Sequence, residues 1–408
     1  MTEGTDLARR CMAARPRLVA ALAARLRDLD AAEDAFGEAM EVCLALDTPP
    51  DRLEGWLMTV ARRKAIDTIR KETARARASE AAALIDEGGQ DMSDVVELPE
   101  AIPDERLRLI FICCHPSIAI EARTALALKV VCGLPVSAIA HVFLTSEPAM
   151  FQRITRAKTK VREAGIAFEL PDRRHWGERL EAVLLTIELA YTAAYQDAAG
   201  EIDPELSAEI GRLAAMIAEL LPEEPEALAL ASLVMLARSR ETARLDDIGA
   251  MIPLSKQDTS RWDFEAIEQA RAWMDRAACV ERSGPYQVMA AIQLTHARRA
   301  FGGETDWRAI LSLYDVLMEM RPGPMVALNR ALALAEVEGP QPALETLATL
   351  PVERLRHARP LHVAHAHLLA RIGDRAAAAR ALDEALALGP PRAERLFLER
   401  RRIELALT

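Results

Sequence analysis

Residues 124–162 read TALALKVVCGLPVSAIAHVFLTSEPAMFQRITRAKTKVR, and the way this stretch divides sets the fold class. An apolar helix from Thr124 to Val131 ends at Gly133. A short helix, Val136 to Phe143, follows a proline. Thr145 and Ser146 are both N-cap formers, and Pro148 falls in the first turn beyond them, so a third helix opens there. At about 100° per residue, Met150, Ile154, Ala157 and Val161 share one stripe of that helix. Its other side carries Gln152, Arg153, Thr155, Arg156, Thr159, Lys160 and Arg162. This has the form of a helix-turn-helix, with cations for phosphates and side chains able to hydrogen-bond base edges. A solvated cationic face on an ordinary bundle would use the same residues. The short helix and tight turn ahead of it favour DNA.

Working outward, the 408 residues suffice for two or three domains. Ala and Leu dominate and aromatics are only 4%, which favours helix over sheet. Apolar runs fall short of the roughly 18 residues that span a bilayer. The start MTEGTDLARRCMAARP lacks an apolar core of the secretion type. Six cysteines, at 11, 43, 113, 114, 132 and 279, suggest a reducing cytoplasm rather than a disulfide framework. A net charge of −11 argues against a general nucleic-acid coat. Positive charge is instead concentrated in Arg62–Arg77, with seven basic and two acidic residues, and in Arg153–Arg162, with five basic and none acidic. Two local cationic sites on an acidic body suit specific docking.

Upstream, residues 7–29 read as a helix pair or a helix kinked at Pro16. Ala31 to Leu46 is a second helix, with Ala35, Ala39, Val42 and Leu46 at helical spacing. Its other side carries Glu33, Asp34, Glu38 and Glu41. Leu53 to Arg77 is a long helical stretch. Arg63, Arg70 and Arg77 stay on one face, with Lys64, Lys71 and Arg75 beside them. Like charges so spaced repel by a few tenths of a kcal/mol per pair, so the cluster suits an anionic partner; a cationic end to a long helix, which suits the helix dipole, would use the same residues. Residues 86–105 hold eight acids and no base, with Gly88, Gly89, Pro99 and Pro103, the composition of a flexible tether.

From residue 176 onward, helices of ten to fifteen residues alternate with Pro/Gly breaks. Gly339 and Gly373 lie 34 residues apart, and Pro322 and Pro390 twice that. A 34-residue period of paired helices is the tetratricopeptide (TPR) signature. Residues 176–300 read as divergent hairpins of the same solenoid, and its concave side would offer a groove for a protein or peptide. Other constellations fail on geometry. Cys113, Cys114 and His115 are adjacent and cannot all face one tetrahedral ion from a regular helix. His362, His365 and His367 have no carboxylate partner within their motif. Ser207, Ser255 and Ser260 sit in no nucleophile elbow, and there is no Gly-rich phosphate loop. Neither an active site nor a cofactor is indicated.

The order of parts resembles bacterial extracytoplasmic-function (ECF) sigma factors. LDAAEDAFGEAMEVCL followed by GWLMTVARRKAIDTIRK is similar to sigma region 2, and residues 106–164 to sigma region 4. RLIFICCHP, RITRAK, QDTSRWD, GPYQVMAAI and TDWRAILSLYD point to the ECF group with a long TPR-like C-terminal extension. The resemblance implies an all-α protein in four parts: a sigma region 2 domain at 1–77, an acidic linker at 78–105, a sigma region 4 helix-turn-helix domain at 106–170, and a helical repeat at 171–408. It implies that Glu33, Asp34, Glu38 and Glu41 dock the β′ clamp helices of core RNA polymerase, whose β flap would be a second contact. Arg62, Arg63, Lys64, Asp67, Arg70 and Lys71 would then engage the −10 element, and Gln152, Arg153, Thr155, Arg156, Thr159 and Lys160 the −35 element of promoter DNA. Gly37 stands where this family commonly has Gln. A helix-turn-helix regulator with a signal-receiving repeat domain is the alternative, but it needs neither the basic helix at 62–77 nor the tether.

Overall fold

In the computed structural model of the chain, the described residues are 2–46, 48–81, 105–143, 145–164, 166, 175–196, 204–350 and 358–407. Among them every regular element is a helix, and the one β interaction is an isolated bridge between Leu245 and Met251. The protein is all-α. It divides into two compact units, Met1–Ala193 and Ala194–Thr408.

The first unit comprises α1 (Thr2–Leu26), α2 (Leu29–Leu44), α3 (Leu53–Ala81), α4 (Glu105–Cys113), α5 (Ile120–Val130), α6 (Val136–Val142), α7 (Glu147–Glu163) and most of α8 (Gly177–Gln196). Helix α1 runs unbroken through Pro16, against the expected interruption. Proline removes one intrahelical donor. Burial of Cys11, Ala14, Leu18, Val19, Leu22 and Ala23 on both sides of it holds the helix together. The chain turns at Arg27, a left-handed residue (φ 54), and Asp28 caps α2 by accepting from Asp30 N at 2.8 Å and Ala31 N at 3.0 Å. Helix α2 buries Leu29, Ala32, Ala35, Phe36, Ala39 and Cys43. Val42 and Leu46, expected on the apolar side, are exposed; the buried stripe runs 32, 36, 39, 43, and Leu46 lies beyond the helix end.

Leu109 to Cys114 are six consecutive buried residues, so α4 is enclosed on all sides. It packs against α1, which also carries α2 and α3. Gly133, with φ 71, makes the turn out of α5 that a Cβ would strain. Helix α7 opens after the N-cap Ser146 with Pro148 in its first turn and packs on α5 and α6. Its buried residues are Met150, Ile154, Ala157 and Val161, the stripe read from the sequence. The division between units falls inside α8, after Ala193, rather than near residue 171. Trp176 explains this: its ring sits 5.0 Å from that of Phe111, and Arg179 donates to Phe111 O at 2.8 Å, fastening the start of α8 to α4. Helix α3 extends to Ala81, and residues 82–104 of the acidic tether lie outside the described residues.

The second unit comprises α9 (Pro204–Leu220), α10 (Pro225–Arg238), α11 (Phe264–Ala278), α12 (Pro285–Ala297), α13 (Trp307–Met320), α14 (Pro324–Val337), α15 (Pro340–Ala348), α16 (Arg359–Arg371), α17 (Arg375–Ala387) and α18 (Arg392–Leu407). The prolines read as breaks become first-turn residues of α10, α12, α14, α15 and α16. Helices α13, α15 and α17 begin at 307, 340 and 375, and α14, α16 and α18 at 324, 359 and 392, so paired helices recur every 33 to 35 residues. Residues 239–263 hold short 3-10 turns and the Leu245–Met251 bridge where helical hairpins were expected. They wrap a buried Trp262, with the Arg299 guanidinium 5.7 Å from its ring, and Asp263 caps α11 by accepting from Ala266 N at 3.0 Å.

Candidate nucleic-acid interface

Helix α3 shows its cations to solvent. Arg62, Arg63, Asp67 and Arg70 are exposed and Lys64 half-buried, while the side chain of Lys71 lies outside the described residues, as do those of Arg75 and Arg77. Arg62, Arg63, Asp67 and Arg70 line an open recess of about 420 Å³ together with Arg25, Met58, Thr59 and Ile66. Met58 and Ile66 give it apolar surface, and four arginines and one aspartate share the lining. Such a recess suits a flat heterocycle flanked by phosphates. Sequence reasoning found the α3 charges. It missed Met58 and Thr59, which precede Arg62 and Arg63 by one helical turn and could have been found by that spacing. Arg25 comes from α1 and joins only through the packing of α1 on α3.

Helix α7 presents its expected polar face. Gln152, Thr155, Arg156 and Lys160 are exposed, and Arg153 and Thr159 partly so. The Thr155 hydroxyl donates to Phe151 O at 2.9 Å and that of Thr159 to Thr155 O at 3.1 Å. These bonds hold the hydroxyl protons and leave oxygen lone pairs and methyl groups outward. The Arg153 guanidinium lies 5.7 Å from the Phe143 ring centroid. One residue on this helix was missed: Phe151 is 62% exposed, an apolar group fit to meet a thymine methyl.

The acidic face of α2 divides in two. Asp34, Glu38 and Glu41 face solvent, with Glu38 3.3 Å from Lys64 of α3. Glu33 does not: its side chain is only 16% exposed, and it pairs with Arg15 of α1 and Lys158 of α7. Lys158, itself 15% exposed, also reaches Asp30 at 2.8 Å, with Arg162 3.8 Å from the other Asp30 oxygen. Burial alone would raise the Glu33 carboxyl. The Lys158 hydrogen bond and charge, with Arg15 and Lys129 behind it, outweigh burial and hold it below the usual carboxylate range. Burial likewise works against the Lys158 ammonium, and its bonds to Asp30 and Glu33 turn the balance and raise it. A half-buried ionic cluster therefore ties α7 to α1 and α2.

Cys113 and Cys114 are fully buried, burial pushes both thiols up, that of Cys114 to about 12, and they stay neutral in the core. His362 does have a carboxylate partner, Glu384 at 2.8 Å; it stands 22 residues downstream, outside the motif. No cluster of three His, Cys, Asp or Glu able to hold a metal exists among the described residues.

Comparison with known proteins assigns the helices. Residues 12–75 match the model for sigma-70 region 2, from α1 to α3, the helices that build the arginine recess. Residues 179–278 match a family of unknown function, DUF6596, from the first turn of α8 to the end of α11. No solved structure matches the chain. The uncharacterized protein R00370 of Rhizobium meliloti (strain 1021) is 38% identical over 394 residues, which cover 95% of this chain and 93% of that protein. The chain thus belongs to the family of R00370, in which it carries a sigma-70 region 2 domain at the N-terminal side and DUF6596 behind it.

Proposed function

We propose that the protein is a sigma factor of the ECF type, which binds core RNA polymerase and directs it to specific promoters. The observation that carries this reading is the coincidence of the sigma-70 region 2 match with the four-arginine recess on α1 and α3. That recess and the α3 charges engage the −10 element. A base taken out of the stack there costs a few kcal/mol, least where the duplex is already open. Apolar Met58 and Ile66 can receive its face while Arg25, Arg62, Arg63 and Arg70 meet the backbone.

Helix α7 serves as the −35 reader in the major groove, with Gln152, Arg153, Thr155, Arg156, Thr159 and Lys160 as its reading groups. Core docking on the β′ clamp helices falls to Asp34, Glu38 and Glu41. Glu33 is already spent on Lys158 and Arg15, so it shapes the first unit instead. The β flap is a second docking surface for the α4–α7 half. The chemistry of RNA synthesis belongs to the polymerase, and the protein works in the cytoplasm. The recurrence of paired helices every 33 to 35 residues supports a TPR-like class for the second unit, which we assign to regulation in cis.

Selection from a pool of random DNA duplexes tests the reading. Core enzyme plus the full chain should enrich duplexes with two short boxes at a fixed spacing, and neither component alone should do so. Enrichment by the chain without core would sink it in favour of a simple DNA-binding regulator.

A further inference from the structure

The second unit carries a half-open cavity of about 600 Å³, and the contacts around its rim bear on what that cavity can hold. The stacked helix pairs do not stay open-ended. The start of α18 meets the segment ahead of α11: Met251 N donates to Ala393 O at 3.0 Å, and Arg400 donates to Asp246 Oδ2 at 2.8 Å. Arg299 of the turn after α12 fastens the same segment from its other end, donating to Leu254 O at 2.7 Å and Ser255 O at 3.2 Å. The cavity is thus ringed by residues 251–255 and by α14, α16 and α18. An extended peptide needs a groove open at both ends. A ringed cavity of this volume falls in the range of small-molecule sites, about 300–1,000 Å³.

The walls narrow the chemistry. Leu332, Val363 and Phe397 supply apolar surface, and Trp307 stands edge-on to His296 with ring centroids 5.3 Å apart. The wall also carries charges, and both of its carboxylates and Arg401 have a charged partner in the protein. Glu336 pairs with Arg371, Glu394 with Arg359 at 2.8 Å, and Arg401 with Glu404 at 2.9 Å. The Arg299 guanidinium is held by the backbone carbonyls just named. Burial first, then the charges of Arg240 and Arg299, push His296 down to about 4, so its ring is neutral at physiological pH. A cationic ligand would find both wall carboxylates already paired, and an anionic one would find the Arg299 N–H groups turned to backbone carbonyls. We propose that this cavity is a binding site for an uncharged, mainly apolar small molecule, oriented by the Asn329 amide and the His296 imidazole. The proposal stands independently of the sigma-factor reading.

Two dyes that differ by one sulfonate test it on the full chain: neutral N-phenyl-1-naphthylamine and anionic 8-anilinonaphthalene-1-sulfonate. The neutral dye should saturate at one per chain and bind at least tenfold more tightly than the anionic one. Asn329→Trp fills the cavity from an exposed wall position and should weaken the neutral dye at least tenfold with the melting temperature unchanged. Ser255→Trp, on the opposite loop, does the same should Asn329→Trp fail to fold. Absence of saturable binding, equal or tighter binding of the anionic dye, or undiminished binding by both folded variants would overturn the proposal.

Discussion

Replacing Lys158 by Met removes one charge from the ionic cluster that ties α7 to α1 and α2 while keeping side-chain length. Breaking a buried ion pair by deleting one partner costs about 3–5 kcal/mol. Two features place this site below that range. Arg15 still pairs with Glu33 after the substitution, and the Asp30 side chain, 43% exposed, can regain water. We therefore expect a loss of about 2 kcal/mol, roughly a 30-fold rise in the local opening equilibrium. Backbone hydrogen exchange on the full chain, read by peptide, measures this directly, because opening free energies are local. Protection should fall in α1, α2 and α7 and stay unchanged in α13 to α18. The double variant Lys158→Met/Glu33→Gln should be less destabilised than the sum of the two single variants, since each removes the same bond. Unchanged protection in α2 and α7 would refute the reasoning, for Lys158 would then gain no more from its partners than from water.

Four further outcomes follow from the same geometry. The Glu33 carboxyl is lowered in the folded chain, so its contribution is present above the unfolded value, about 4.3, and is lost as pH falls through the folded one. Acid titration of α2 protection should therefore show a fall below about pH 4 that Glu33→Gln flattens. Gly37 is exposed, with no atom within 4 Å of where a Cβ would sit, so Gly37→Ala should stabilise the first unit by about 0.5–1 kcal/mol in urea unfolding. In holoenzyme–promoter binding, Gln152→Ala should cost about 1–3 kcal/mol at one −35 position and relax its specificity, whereas Lys160→Ala should weaken all sequences alike and lower the salt slope. A chain cut after Gln196, which keeps all of α8 with the first unit, should transcribe at a level different from the full chain if the second unit regulates in cis; equal activity under all conditions would end that idea.

Much of the interface was legible because helices write their burial locally. The stripe Met150, Ile154, Ala157, Val161 is narrow and regular, and it appears in the structure unchanged. Lys158 was hidden in plain view. It follows Ile154 by four and precedes Val161 by three, which sets it at the flank of that stripe rather than on the polar face. Its charge disguised a half-buried position. The partners Asp30 and Glu33 stand more than 120 residues away, and no periodicity connects them. Arg25 joined the α3 recess for the same reason. Residues 239–263 were illegible for a different one: caps and side-chain bonds to backbone, such as Asp258 to Ser260 N and Gln257 to Ile252 O, hold them, and such bonds leave no repeat in the sequence.

Run-off transcription with purified core enzyme, on promoter fragments drawn from the duplex selection, bears most directly on the central claim. Core plus the full chain should give transcripts of one defined start. Arg63→Ala/Arg70→Ala should abolish them without weakening binding to core, because the recess acts on DNA alone. Transcripts that appear equally without the chain, or that survive loss of both arginines, would contradict the account.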